Sequence, residues 1–158
     1  RISYYFTSAT LVALGLHAIY YFRTALDIRY VIFLALATLG ADTFAYFVGR
    51  AIGKHKLNPR LSPKKTIEGS IGGIVCGGLL GLAYAYCVKI PYALPHLALM
   101  SFVLATTGQI GDLTFSSIKR TFEVKDYSQI FPGHGGVLDR FDSIIFNSMI
   151  LGFLLTLL

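Results

Sequence analysis

The chain has 158 residues, about one domain's worth, of which 54% are hydrophobic and only 14% charged, where a soluble domain carries roughly 25% charged residues. Its 14 Lys and Arg against 8 Asp and Glu leave a net charge of +6. An ordinary soluble domain is thereby excluded, because the apolar residues arrive in runs close to the roughly 20 that a bilayer-spanning helix needs.

In chain order, the apolar runs are Ile2–Phe22, Tyr30–Gly49, Ser70–Val88, Leu94–Phe115 and Ser143–Leu158. The expected fold class is all-α: a polytopic membrane bundle of about five transmembrane helices, forming a single domain over residues 1–158. The first run holds no acid and one His, and reads as a packing helix. It has no small-residue cleavage site and more spans follow it, so it is not a signal peptide. The opening Arg1 and the short last run suggest a longer membrane protein, truncated at the amino end.

The second run contains Asp42 in "GADTFAYFVGR". Thr38, Asp42 and Tyr46 recur every fourth residue and share one helix face. Asp42 lies about two turns, roughly 10 Å, inside the basic end of that helix. A loop follows, "RAIGKHKLNPRLSPKKTIEGSIGG", in which Pro59 and Pro63 predict a structured turn region and Thr66 to Gly69 open the third helix. Gly69, Gly73, Gly77 and Gly81 then fall on one stripe. Small residues so spaced let two helix backbones approach closely in lipid; a substrate path along the stripe is the alternative. Cys76 and Cys87 lie roughly 16 Å apart along this helix, too far for a disulfide, and read as packing residues.

The fourth run ends in "TTGQIGDLTFSSIKR", which puts Gln109, Asp112, Ser116 and Lys119 on one face leading out of the membrane. A second polar loop carries the glycine-rich turn Gly133-His134-Gly135-Gly136, and the last helix begins near Leu138. Asp139 and Asp142 share one side of its first turn, and Ser143 and Asn147 prolong the polar edge.

Charge sets the orientation. Arg50, Lys54, Lys56, Arg60, Lys64 and Lys65 lie in the first loop and Lys119, Arg120, Lys125 and Arg140 in the second, with Arg1 on the same side. Only Arg23, Arg29 and Lys89 fall on the other. The positive-inside rule makes the basic face cytoplasmic, and such a face suits anionic headgroups or phosphate-bearing substrates.

Every acid except Asp27 also falls on or beside that face: Asp42, Glu68, Asp112, Glu123, Asp126, Asp139 and Asp142. An ionised carboxylate within a bilayer must be paired, bind a metal, or line a wet cavity. Asp112, Asp139 and Asp142 project from helix ends at a common depth, so they are expected to hold a hard divalent cation, Mg²⁺ being the natural companion of a phosphate substrate. Two other readings stay open. Asp139 and Asp142 would complement any helix N-terminus, and Asp42 or Asp112 could carry ions in a transporter. The glycine-rich turn can present backbone N–H groups to an anion, and Ser62-Pro63-Lys64-Lys65-Thr66 reads as a second phosphate clamp. His134 is a candidate acid or base; His17, His55 and His96 read as structural. No Ser or Cys nucleophile constellation is visible. A phosphate oxygen acting as nucleophile is already anionic, and needs only alignment and charge neutralisation.

The spaced pattern Ser116, Lys119-Arg120, Lys125-Asp126, Ser128, Pro132, His134-Gly135-Gly136 and Asp139-Arg140-x-Asp142 resembles the signature of the phosphatidate cytidylyltransferases (CDP-diacylglycerol synthases). "ADTFAYFVGR" and "SPKKTIEGSIGG" resemble that family's upstream segments in the same order, so the resemblance runs from about Leu39 to the end. Ile67 departs from it, standing where the family commonly has Trp. The resemblance implies that CTP and phosphatidate give CDP-diacylglycerol and pyrophosphate with Mg²⁺, alone or with a second cation. Asp112, Asp139 and Asp142 would hold metal. Lys119, Arg120, Lys125, Asp126, His134 and Arg140 would act in catalysis. Ser62, Lys64, Lys65, Thr66, Ser116, Gly135 and Gly136 would bind substrate. The expected partners are CTP, phosphatidate and membrane lipid, with a homodimer as the assembly and no nucleic acid. The expected location is the bacterial plasma membrane, with the site on its cytoplasmic face. Two rivals remain, a CTP-dependent kinase of a lipid alcohol and an ion or lipid transporter.

Overall fold

The computed structural model describes residues 2–58, 62–122, 127 and 138–158, with the backbone alone for residues 2–4, 63, 64, 138 and 140. Five long helices follow one another: α1 (Ile2–Tyr21), α2 (Ile28–Ile52), α3 (Ile67–Cys87), α4 (Leu94–Thr121) and α5 (Leu138–Leu157). A π-helical turn, Phe22–Leu26, closes α1, and its Phe22 is fully buried. By length and composition, Tyr5–Leu26, Ile28–Ile52 and Ile67–Cys87 are apolar enough to cross a membrane. The expectation of an all-α membrane bundle therefore holds. Helix α4 is the longest of the five, yet it is more polar than those spans, and the reason is its position. Leu97, Met100, Ser101, Leu104, Gly108, Gln109 and Phe115 are all buried, so its polar groups meet protein rather than lipid.

Local chemistry starts and stops these helices. Asp27 caps α2 by accepting the Arg29 backbone N–H at 2.9 Å, and that bond, together with the Arg29 guanidinium, holds its carboxyl below the usual carboxylate range. Arg29 also donates to the Val88 carbonyl at 2.9 Å, tying the start of α2 to the end of α3. Thr66 caps α3 through the Gly69 N–H at 3.2 Å.

The predicted glycine stripe is a packing surface. Gly69, Gly73, Gly77 and Gly81 are buried, and Cβ atoms built on Gly69, Gly73 and Gly77 would strike the α2 backbone at Ala45, Ala41 and Gly49. Leu34, Ala37, Met100, Leu104 and Leu151 form the apolar centre where α2, α4 and α5 meet.

The Arg50–Gly69 loop holds more than turns. Lys56–Asn58 (β1) and Ser62–Thr66 (β2) pair antiparallel, Lys56 opposite Thr66 and Asn58 opposite Ser62, with an irregular register between. The strands carry no apolar alternation, which is the feature that betrays a strand in a sequence. Glu68 clasps the base of this hairpin to α3: it accepts the Lys54 and His55 backbone N–H groups and meets His55 Nδ1 at 2.6 Å.

Candidate active site

The C-terminal turns of α2 and α4 and the N-terminal turns of α3 and α5 lie at one end of the bundle, beside the hairpin. Ring stacking of Tyr5 on Phe122, centroids 4.8 Å apart, places the start of α1 at that end too. There a cavity of about 530 Å³ opens, and its wall includes Asp42 of α2, Asp112 of α4, and Asp139 and Asp142 of α5. Ser62, Lys65 and Thr66 of β2, Gln109, Ser143, and Tyr46, Arg50 and Lys56 near the mouth complete the lining that matters chemically.

Two lysines stand among the four carboxylates in the same manner. Lys65 Nζ lies 2.5 Å from Asp112 Oδ2 and 3.9 Å from Asp42 Oδ1. Lys119 Nζ lies 2.9 Å from Asp139 Oδ1 and 3.9 Å from Asp142 Oδ2. Each ammonium thus holds one carboxylate closely and leaves the other beyond hydrogen-bond range. The two outlying oxygens, Asp42 Oδ1 and Asp142 Oδ2, are buried without a hydrogen-bond partner. The other oxygen of Asp142 accepts the Ser143 backbone N–H at 2.7 Å and hydroxyl at 3.3 Å, and that hydroxyl is also within hydrogen-bonding reach of Asp42. Asp139 is fully engaged, since its Oδ2 accepts the Tyr127 backbone N–H at 2.9 Å. Below Asp112, Gln109 is anchored to α3 by a bond between its carbonyl and the Ser70 hydroxyl and by donating to the Ser70 backbone carbonyl at 3.1 Å.

Tyr127 roofs Lys119, its ring centroid 5.4 Å from Nζ and edge-on to Phe115. Burial, with the charges of Asp142 and Asp139 behind it, pushes its phenol up to about 12. It therefore stays protonated at neutral pH and cannot serve as a base.

Among the described residues no three carboxylate, imidazole or thiol groups form a ready-made metal cage. Asp112, Asp139 and Asp142 do line one cavity, but lysines stand between the acids where direct convergence on an ion was expected. Mg²⁺ does not require an all-protein cage: it is commonly held by one or two carboxylates, with waters and substrate phosphates completing an octahedron. Two buried, orphaned carboxylate oxygens on a single cavity wall fit that donor set.

The other expected site residues divide into three groups. Ser62, Lys65 and Thr66 line the cavity. Lys119 touches the acids from behind, while Ser116 is half-buried and Arg120 exposed, neither of them on the cavity wall. Lys125, Asp126, His134, Gly135 and Gly136 lie outside the described residues, as do the side chains of Lys64 and Arg140. Asp42, Gln109, Ser70 and Ser143 were not among the expected site residues, yet all four line the cavity. For Asp42 a signal was present: an acid two turns inside an apolar helix needs a partner, at the depth where the other acids stand.

Comparison with known proteins bears on this geometry. The model of the cytidylyltransferase family matches residues 1–158, the whole chain. The chain belongs to the cytidylyltransferase family. It is 46% identical over 142 residues to the phosphatidate cytidylyltransferase of Staphylococcus epidermidis, covering 89% of this chain and 55% of that protein. It is 43% identical over 130 residues to that of Bacillus subtilis, covering 82% of this chain and 48% of that protein. The counterpart in Staphylococcus saprophyticus is 41% identical over 151 residues, 95% of this chain and 58% of its own length. The chain thus spans about half the length of the curated relatives it matches.

Proposed function

We propose that this chain carries the cytidylyl-transfer site of a phosphatidate cytidylyltransferase, which converts CTP and phosphatidate to CDP-diacylglycerol and pyrophosphate at the cytoplasmic face of a bacterial plasma membrane. The observation that carries this reading is the distribution of charge in one cavity. Four carboxylates and Lys65 lie in its depth, with Lys119 paired to the acids outside the lining, and Arg50 and Lys56 lie exposed at the mouth. The identity to relatives of that name supports the choice of substrates.

The cavity suits a reaction between a soluble and a lipid phosphate. Leu39 and Tyr46, 44% and 59% exposed, line it on α2, so one wall is continuous with the apolar flank of the bundle. A lipid headgroup entering along that flank meets Lys65 and the capped end of α3, where Thr66 stands. CTP enters from the water side past Arg50 and Lys56. The lipid phosphate oxygen attacks the α-phosphorus of CTP, a new P–O bond forms, and the bond to the β-phosphate breaks to release pyrophosphate. No base is needed, since the nucleophile is already an anion, and the role left to the protein is alignment and charge balance. Asp42 and Asp142, with Asp112 beside them, would hold Mg²⁺, which when bound neutralises the triphosphate and the departing pyrophosphate. Lys119 keeps Asp139 and Asp142 in place.

The test is turnover with CTP labelled separately at the α- and γ-phosphates, in detergent with phosphatidate. Transfer of the α-label into lipid with γ-label in pyrophosphate is expected. Transfer of the γ-label to lipid with release of CDP would make the protein a lipid kinase and overturn the reading.

A further inference from the structure

We propose that Asn147 is a positioning residue for this site, a three-helix clasp that sets the register of the carboxylate-bearing turns of α2, α4 and α5. The inference rests on the functional reading above for its kinetic consequence, but not for its geometry.

Asn147 is fully buried on α5, about one helical turn below Ser143. Its Nδ2 donates at 2.8 Å to the hydroxyl of Thr38 on α2 and at 2.7 Å to the backbone carbonyl of Leu104 on α4. Its Oδ1 lies 2.7 Å from the hydroxyl of Thr107, whose single proton it shares with the Val103 carbonyl at 2.8 Å. Both N–H groups and the carbonyl of one amide are therefore used, and they reach two other helices. Thr38 and Asn147 each sit one turn below a cavity residue of their own helix, Asp42 and Ser143, and Leu104 lies two turns below Asp112 on α4. The chain makes room for the amide. A Cβ on Gly108 would stand 2.9 Å from Asn147 Nδ2 and 3.0 Å from Thr38 Cγ2.

A leucine of similar volume would suit this depth, so the presence of a fully satisfied amide calls for a reason beyond filling space. Interhelical hydrogen bonds in membranes add little net stability, because separated helices also find partners. A buried polar group does set register, since only one alignment of three helices satisfies it. At this site register decides whether Asp42 Oδ1 and Asp142 Oδ2 face the same space. An error of about 1 Å in such an arrangement lowers turnover roughly a hundredfold.

Asn147→Leu removes every bond of the clasp, and Thr107→Val removes only the donor to Oδ1. In both, kcat for pyrophosphate release is expected to fall, by about tenfold to a hundredfold in the first, while KM for CTP stays close to the parent value and the thermal midpoint in detergent moves little. Amide hydrogen exchange is expected to quicken at residues 139–143 and 38–42 and to stay unchanged in α1. Parent kcat in Asn147→Leu, unaltered exchange at residues 139–143, or a kcat loss that merely follows the unfolded fraction would overturn the proposal. If Asn147→Leu does not fold, Thr107→Val carries the same readouts. If the parent protein releases no pyrophosphate, the functional reading fails, and the exchange comparison alone decides for or against the clasp.

Discussion

Gly77→Ala on α3 isolates the close approach of α3 to α2. A Cβ on Gly77 would lie 2.5 Å from the Ala41 backbone nitrogen, 2.6 Å from its Cα and 2.8 Å from its Cβ. The first two are backbone atoms and the Cβ is fixed to them, so none can rotate aside, and relief requires α2 and α3 to separate by about 1 Å to reach ordinary carbon contact distances. Overpacking of this kind costs about 1–3 kcal/mol. Against it stands a gain of up to about 1 kcal/mol from replacing a mid-helix glycine by alanine. Gly152→Ala on α5 is the control: its Cβ would meet only Phe22 Cζ, at an ordinary 3.7 Å. Both variants share the propensity gain, so their difference reports the clash alone. At roughly 3 °C per kcal/mol for a chain of this length, the thermal midpoint of Gly77→Ala in detergent is expected about 3–9 °C below that of Gly152→Ala. Turnover should fall as well, because Asp42 stands on the displaced helix one residue beyond Ala41. Equal midpoints would refute the close contact, and would reopen the reading of the stripe as a substrate path.

Two further predictions concern charge. Lys119→Met removes the ammonium that lies 2.9 Å from Asp139, itself only 6% exposed at its side chain, and breaking a buried pair in this way costs about 3–5 kcal/mol. Lys119→Met combined with Asp139→Leu removes both charges and is expected to unfold at a higher temperature than Lys119→Met alone; additive losses would deny the coupling. At the opposite end of the bundle, the depressed pKa of the Asp27 carboxyl means that its charge stabilises the fold above the ordinary Asp value, near 3.9. That contribution is lost as pH falls through the lower folded value. Asparagine retains the capping bond but not the charge, so the midpoint difference between parent and Asp27→Asn should be present at pH 6 and vanish on acidification; a difference constant down to about pH 2 would refute the assignment.

The parts of the fold legible in sequence are those whose signal is local. Runs of apolar residues mark α1, α2 and α3, Asp27 and Thr66 stand as caps before helices, and the four-residue glycine spacing marks the α2–α3 contact. Two features were hidden because their partners are distant in the chain. The hairpin has strands too short and too polar for alternation to appear, and Lys56 meets Thr66 only once the turn has formed. The insertion of Lys65 and Lys119 among the acids was hidden for the same reason. Lys65 reaches Asp112 across 47 positions of sequence, and spacing within one helix cannot reveal a side chain that arrives from another. Asn147 was visible as part of a polar edge, but its clasp requires knowing that Thr38 and Leu104 converge on it.

The lysines also explain how four carboxylates remain at the boundary of an apolar bundle. Together the four acids and these two ammonium groups carry a formal excess of two negative charges, with Arg50 and Lys56 farther out on the same cavity wall. Full neutralisation by more lysines would leave nothing for an incoming cation to balance; removing the lysines would pack four like charges around one cavity, which burial penalises severely. The arrangement therefore stands between a structural salt-bridge cluster and an open anionic pocket. Its two orphaned oxygens, Asp42 Oδ1 and Asp142 Oδ2, come from different helices. A site that depended on two helices for one ion would be sensitive to their relative shift along the bundle axis, and a buried amide joining those same helices one turn below would then bear on the chemistry as well as on the fold.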